Sequence, residues 1–291
     1  MKDKQIYFIS GLPRAGATLL SNVLAQNPRF HISSPPGVLD LMFMVRRQWN
    51  HVVEFKATPN EAGKLRVLRG IFQSFYSAGG VTQPVIIDKS RAWLGMIEMA
   101  ETLFGIQARV IVPVRDIREV LASFEKIWRS NQHMRQVTET AARGPAWESV
   151  GGRCAVWLQG DQPIGLCYNR IKDAITRGYS DRLHFVDFDH LTQHPAETLQ
   201  SIYTFLGETP FPHDFNNIAA VTTDLDEMYP IPGLPAIRPK IEPPERANWP
   251  MILGPTADQY SINNNLWKRY IQPPAPGLDA ATLTAAAPVF A

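Results

Sequence analysis

The chain is poor in cysteine. Its 291 residues contain two, Cys154 and Cys167, too few for a disulfide framework and without the paired spacing of a zinc site, so a stapled small scaffold and a cysteine-built metal centre are excluded. Both are expected as reduced, partly buried thiols. No apolar run approaches the ~18 residues of a membrane span, and the N-terminal segment lacks the long apolar core of a signal peptide. A soluble, cytoplasmic protein with no membrane span is the expectation. A dominant charge sign is missing as well. The 29 Lys and Arg against 27 Asp and Glu leave +2, which argues against a nucleic acid partner and a polyanion-binding surface spread over the molecule, while leaving room for a local basic cleft. What is present is ordinary for a globular protein, 45% hydrophobic and 19% charged residues, on a chain long enough to bury a substantial core. One domain over residues 1–270 is expected. The end, PPAPGLDAATLTAAAPVFA, is low in complexity and has no core pattern, so 271–291 is expected as a disordered tail.

Short apolar runs alternate with helical patterns along the chain. Ile6 to Ile9 reads as a strand, and the helix after it stops near Asn27-Pro28. HISSPPG, from His31 to Gly37, reads as a polar turn. Val38 to Phe55 and Asn60 to Tyr76 have helical spacing, Pro84 to Asp88 has the length and β-branching of a buried strand, and Ala92 to Phe104 is helical again. Arg109 to Val114 is a further buried strand, followed by a helix from Asp116 to Trp128. Glycines and prolines interrupt every period from Ser130 to Pro163, which predicts a long irregular insertion of the lid or binding-loop kind. Ile164 to Arg177 is helical and Arg182 to Phe188 alternates as a strand. Pro195 then opens a helix that Gly207 stops. The alternation predicts an α/β fold, a mainly parallel sheet with helices on both faces. In such sheets ligands bind at the carboxyl ends of the strands. The loop at Arg14, the Asp88-Lys89 pair and the Arg115-Asp116 pair all fall at such ends.

The chain is organised around GLPRAGATLL, Gly11 to Leu20, a glycine loop between strand and helix. The first N–H groups of a helix have no intrahelical partner and point, with the helix dipole, at whatever occupies the loop; a phosphate suits it. A nucleotide-triphosphatase loop reads G-x-x-x-x-G-K-[ST]. Gly11, Gly16 and Thr18 fit that frame, but Ala17 stands where the lysine should be, and the positive charge sits inside the loop at Arg14, behind Pro13.

This spelling resembles the phosphosulfate loop of the sulfotransferases, P-[KR]-S-G-T-T-[WL], with Ala15 in place of the serine and Ala17 in place of the first threonine. Each replacement removes a hydroxyl and leaves the backbone donors. The resemblance covers roughly Gln5 to Gly207 and includes VPVRDIREVLASF, where Ser123 follows Arg115 by eight residues, and the string HFVDFDHLTQHPAETLQSIYTFLGE. It implies a P-loop NTPase-like three-layer sandwich. It further implies the donor 3′-phosphoadenosine 5′-phosphosulfate (PAPS), with adenosine 3′,5′-bisphosphate (PAP) as product and no metal. By resemblance, Pro13, Arg14, Ala15, Gly16, Ala17, Thr18 and Leu19 hold the 5′-phosphosulfate. Arg115 and Ser123, two helical turns apart, hold the 3′-phosphate. Arg238 and Lys240 loosely resemble a basic loop that closes over that phosphate. Lys89 resembles a lysine that several relatives place near the sulfuryl group. Arg91 and Arg118 are further cations for the cleft, with solvated charge as their alternative.

The base that takes the acceptor's proton is open. Relatives use a glutamate shortly after the first helix or a histidine farther along; here Ser33, Ser34 and Pro35 stand by spacing at the glutamate's place. His31, Asp40, Asp88 and His133 are the alternatives, and Asp88 has the further alternative of pairing with Lys89 or Arg91. Trp147, Trp157 and Trp249 line an acceptor pocket or belong to the core. The acceptor is a small molecule, carbohydrate, lipid or peptide bearing a hydroxyl or amine, and family analogy allows a homodimer. Two rival readings remain: a P-loop kinase or nucleotide hydrolase with Asp88 as its magnesium ligand, and a nucleotide-binding relative that has lost catalysis.

Overall fold

The structure, a computed structural model, describes residues 4–33, 37–131, 144–221, 239–243, 249–260 and 265–271. Ser34, Pro35, His133, Arg238 and residues 272–291 of the expected tail lie outside them.

Five strands form one parallel sheet: β1 Gln5–Ile9, β2 Phe30–Ile32, β3 Val85–Lys89, β4 Val110–Val114 and β5 Leu183–Asp187. Their order is β2-β3-β1-β4-β5. The chain leaves central β1 for one edge of the sheet and later crosses to the other, so the carboxyl end of β1 lies at the reversal of strand order, where open α/β sheets bind ligands. Side chains alternate strictly between two cores. Ile6 and Phe8 of β1 and Val110, Val112 and Val114 of β4 face one core, whereas Tyr7, Ile9 and Ile111 face the other.

The second core is covered by α1 Ala17–Leu24, which brings Leu20, Val23 and Leu24, and by α10 Pro195–Leu206, which brings Leu199, Ile202 and Leu206. The first is covered by α2 Val38–Trp49, α4 Glu61–Ala78, α5 Ile97–Phe104, α6 Ile117–Ser130, α7 Val150–Trp157 and α8 Pro163–Thr176. The expected three layers are present. Two short helices, α3 Val53–Ala57 and α9 Phe188–Gln193, complete the connections, and α11 Trp249–Leu253 packs along α6. Among the described residues no helix is long and apolar enough to cross a membrane.

Three sequence expectations need correction. The polar turn at His31 begins as strand β2, whose three residues are too few for a period to show; pairing of Phe30 with Val85 and His31 with Ile86 makes it an edge strand. The expected insertion after Ser130 contains α7, whose Arg153, Cys154 and Trp157 are buried. Its glycines are contact points as well as interruptions: a Cβ on Gly152 would collide with the backbone of Ala146. Arg153 donates from Nε (2.8 Å) and Nη2 (2.6 Å) to Glu125, which has no exposed surface and ties α7 to α6. Finally, the helix expected from Ala92 opens as a 3-10 turn, Trp93–Met96, before α5. Both cysteines are buried, and burial followed by the charge of Glu125 pushes the Cys154 thiol up to about 12.

Candidate functional site

The loop after β1 is pinned to β4. Ser10 N–H donates to Ile111 O at 3.0 Å and Leu12 N–H to Pro113 O at 2.9 Å, and Gly11 lies so close to Pro113 that a Cβ would overlap its carbonyl. Two loop residues are left-handed, Arg14 at φ 61° and Gly16 at φ 79°. For arginine that conformation costs about 1–2 kcal/mol, a strain retained where surrounding structure over-determines it. The turn sequence makes a concave array of N–H groups. The first helical bond of α1 runs from Leu20 N–H to Gly16 O (2.9 Å), so the amides of Ala17, Thr18 and Leu19 are aimed into the loop. Ala15 is buried in the core under it.

Side chains from two other strand ends converge on this loop. Arg14 Nε donates to Ser123 Oγ on α6 at 3.1 Å. Lys89, at the end of β3 and 7% exposed, directs its Nζ to Thr18 Oγ1 at 3.3 Å. Its backbone N–H donates to Ser33 Oγ at 2.8 Å. Arg115, just past β4, pairs through Nη2 with Glu119 Oε2 at 2.9 Å, and its guanidinium lies 4.4 Å over the ring of Phe188. That ring in turn abuts Gly16, where a Cβ would come within 2.5 Å of it. The buried Nε of Arg115 has no hydrogen-bond partner among the described residues. An orphaned guanidinium N–H behind a nest of backbone donors is chemistry that fits a phosphate.

The structure therefore brings Pro13 to Leu19, Lys89, Arg115 and Ser123 to one end of the sheet, with Ser123 bonded to Arg14 and Arg115 held by Glu119. Sequence reasoning missed Glu119 and Phe188. Glu119 had a signal, its four-residue spacing from Arg115; Phe188 had none. Burial raises the pKa of Glu119, and that of Asp189 nearby, against the pull of Arg115.

Other expected site residues lie elsewhere. Asp88 has no exposed surface and projects to the opposite face of the sheet from its neighbour Lys89. It accepts a hydrogen bond from the Tyr76 hydroxyl and another from Trp93 Nε1–H at 2.7 Å. Burial raises its pKa to about 6 against those two donors. It is thus no partner of Lys89 or Arg91, and cannot itself touch an acceptor or a loop-bound magnesium ion. His31 is on that same face, edge-on to Tyr76 at 5.6 Å. Burial, then the charge of Lys4, lowers its pKa, so it is neutral at neutral pH. Lys240 is exposed and its ion-pair partner among the described residues is Glu242, at 3.6 Å. Arg118 is bound to Asp116, the cap of α6, from Nε and Nη2 and stacks on Trp249 at 4.3 Å. Trp157 is buried edge-on to Trp147, so this pair belongs to the core and not to an acceptor pocket. Among the described residues no three His, Cys, Asp or Glu side chains are grouped to hold a metal ion.

The sulfotransferase family model matches residues 7–213, and the chain belongs to that family. One solved structure bears on the fold, and others are similar at lower scores. The sulfotransferase domain from the Synechococcus PCC 7002 olefin synthase superposes with a TM-score of 0.50 at 19% identity, covering 92% of this chain and 96% of that one. The sulfotransferase domain from the curacin biosynthetic pathway gives 0.49 at 16% identity over 98% and 99%. Mouse sulfotransferase SULT7A1, complexed with PAP, gives 0.44 at 13% over 92% and 83%. No curated protein matches this chain in sequence.

Proposed function

We propose that this chain transfers a sulfuryl group from PAPS to a hydroxyl or amine acceptor by in-line displacement, releasing PAP. The observation that carries the reading is the Arg14–Ser123 bond. It joins the loop that suits a 5′-phosphosulfate to the helix that begins beside Arg115, so two anion-binding halves serve one ligand. PAP in the mouse relative is in keeping with this.

In the proposed reaction the amides of Ala15 to Leu19 hold the 5′-phosphosulfate, with Pro13 shaping the turn. Arg14 neutralises charge growing on the bridging oxygen as the S–O bond to the bisphosphate breaks and its electron pair leaves with PAP. Lys89 holds the sulfuryl oxygens from the other side. Arg115, through its orphaned Nε, and Ser123 take the 3′-phosphate. The acceptor oxygen bonds to sulfur as its proton departs. That proton passes to water; His31 and Asp88 face the opposite side of the sheet from the loop. Such catalysis is positioning and electrostatics rather than covalent work by the protein. We place the enzyme in the cytoplasm, as one domain over 1–270.

Calorimetry with PAP, and with ATP plus magnesium, on the native chain and on Arg115→Ala tests this. PAP is expected to bind at least about tenfold more tightly than ATP, and the substitution to remove most of that preference. Preference for ATP with magnesium would return the reading to a kinase or hydrolase.

A further inference from the structure

Most of the large apolar side chains that the protein leaves exposed lie in one stretch. Of nine among the described residues, seven fall between residues 41 and 75, on α2, α3 and α4. Met44 is 58% exposed and Val53 73%, and Leu41, Phe43 and Phe55 accompany them. Clustered exposure of this kind marks an interaction surface, whereas single exposed residues elsewhere need no account.

The local structure points the same way. In α2 only Val38, Leu39 and Met42 are buried, and α3 buries nothing. A five-residue helix has no stability of its own. What holds α3 to α2 is the stack of Phe55 on Trp49, with centroids 4.0 Å apart and planes within 8°. An open hollow beside it is lined by Met44, Arg47, Gln48 and His51.

Charge selects the occupant. Residues 38–78 carry six Lys and Arg against three Asp and Glu, a net +3, while the whole chain has +2. The rest of the molecule therefore sums to −1, and this stretch holds all of the excess positive charge. Arg46, Arg47 and Lys56 are exposed among the apolar side chains, against the exposed acids Asp40 and Glu54. A second copy docked through the same face would set one net-positive stretch against another, which opposes self-association. A lipid surface uses both features, since apolar side chains enter the acyl boundary while long cationic stems keep their heads among anionic headgroups.

We propose that α2 and α3, with the adjoining face of α4, form a docking surface for an anionic membrane. The inference stands whether or not the donor is PAPS.

The test is co-sedimentation of the full chain with vesicles of phosphatidylcholine alone and with about 30% phosphatidylglycerol. Binding to the anionic vesicles is expected, weakened by salt, and reduced about tenfold or more by Val53→Glu and by Met44→Glu. Met251→Glu, at a residue 78% exposed elsewhere, is expected to bind as the native chain does. Thermal melts of Val53→Glu and Met44→Glu are expected to match the native melt, which separates lost binding from lost folding. Absence of binding to anionic vesicles overturns the proposal, as does equal binding by the native chain and both variants. A native dimer that Val53→Glu dissociates, without partition onto vesicles, assigns the face to a second copy instead.

Discussion

At the end of β3 two adjacent residues have opposite circumstances. Lys89 reaches across to Thr18 at the loop, while Asp88 is sealed on the other face between Tyr76 and Trp93. One residue of register separates them, and a strand's period of two sends them to different layers. The loop-side layer meets a helix N-terminus and open donors. The opposite layer meets aromatic rings that exclude water and satisfy the carboxylate with two hydrogen bonds. Two charges read from sequence as a possible pair therefore have separate physical settings, one suited to binding an anion and the other to storing a proton.

The largest effect expected from this contrast concerns Asp88. Its folded pKa is raised from an ordinary 3.8 to about 6, so the folded state holds the proton more tightly than the unfolded state. Its favourable contribution is complete below the unfolded value and is lost as pH rises through about 6, a change of about 3 kcal/mol. Urea melts from pH 4 to 7 should show that decline in the native chain and a flatter profile in Asp88→Asn. Parallel profiles would break the contrast on the sealed side.

On the loop side, Gly16→Ala forces a Cβ into the Phe188 ring and a side chain into left-handed backbone. It also disturbs the ring on which Arg115 rests. PAP affinity measured by calorimetry is expected to fall about 100-fold, with about 1–3 kcal/mol of stability lost in melts. The smallest expected effect sharpens the comparison most. Lys89→Met keeps the buried stem and removes only the charge assigned to the sulfuryl oxygens, so PAPS affinity should fall about tenfold while the melt barely moves. A change in the melt without a change in affinity would make Lys89 as structural as Asp88.

The strands at Ile6, Pro84, Arg109 and Arg182 were legible because buried parallel strands are short apolar runs with abrupt polar ends. So were the helices at Asn60 and Pro195, from their spacing and stops, whereas the helix expected from Val38 to Phe55 breaks at residues 50–52 into α2 and α3. That the loop and Arg115 would fall at one end of the sheet was legible, because the carboxyl ends of parallel strands gather on one side. Edge strand β2 was not, since three residues carry no period. Helix α7 was hidden because Gly151 and Gly152 read as breakers, although Gly152 is where the Ala146 backbone comes close. The burial of Asp88 was hidden because its partner Tyr76 lies on another element, and a carboxylate at a strand end looks the same whether water or an aromatic ring covers it.

By itself the sequence determined the order of elements, the α/β class and the presence of a lysine-less glycine loop, because these rest on local period, turn chemistry and residue type. Only the tertiary structure decided that Arg14 bonds Ser123, that Phe188 lies between Gly16 and Arg115, that Asp88 and Lys89 part company, and that α2 and α3 keep their apolar side chains in the open. Each of those outcomes depends on which distant segment covers a given face, and that is set by the packing of the whole chain rather than by any stretch of it.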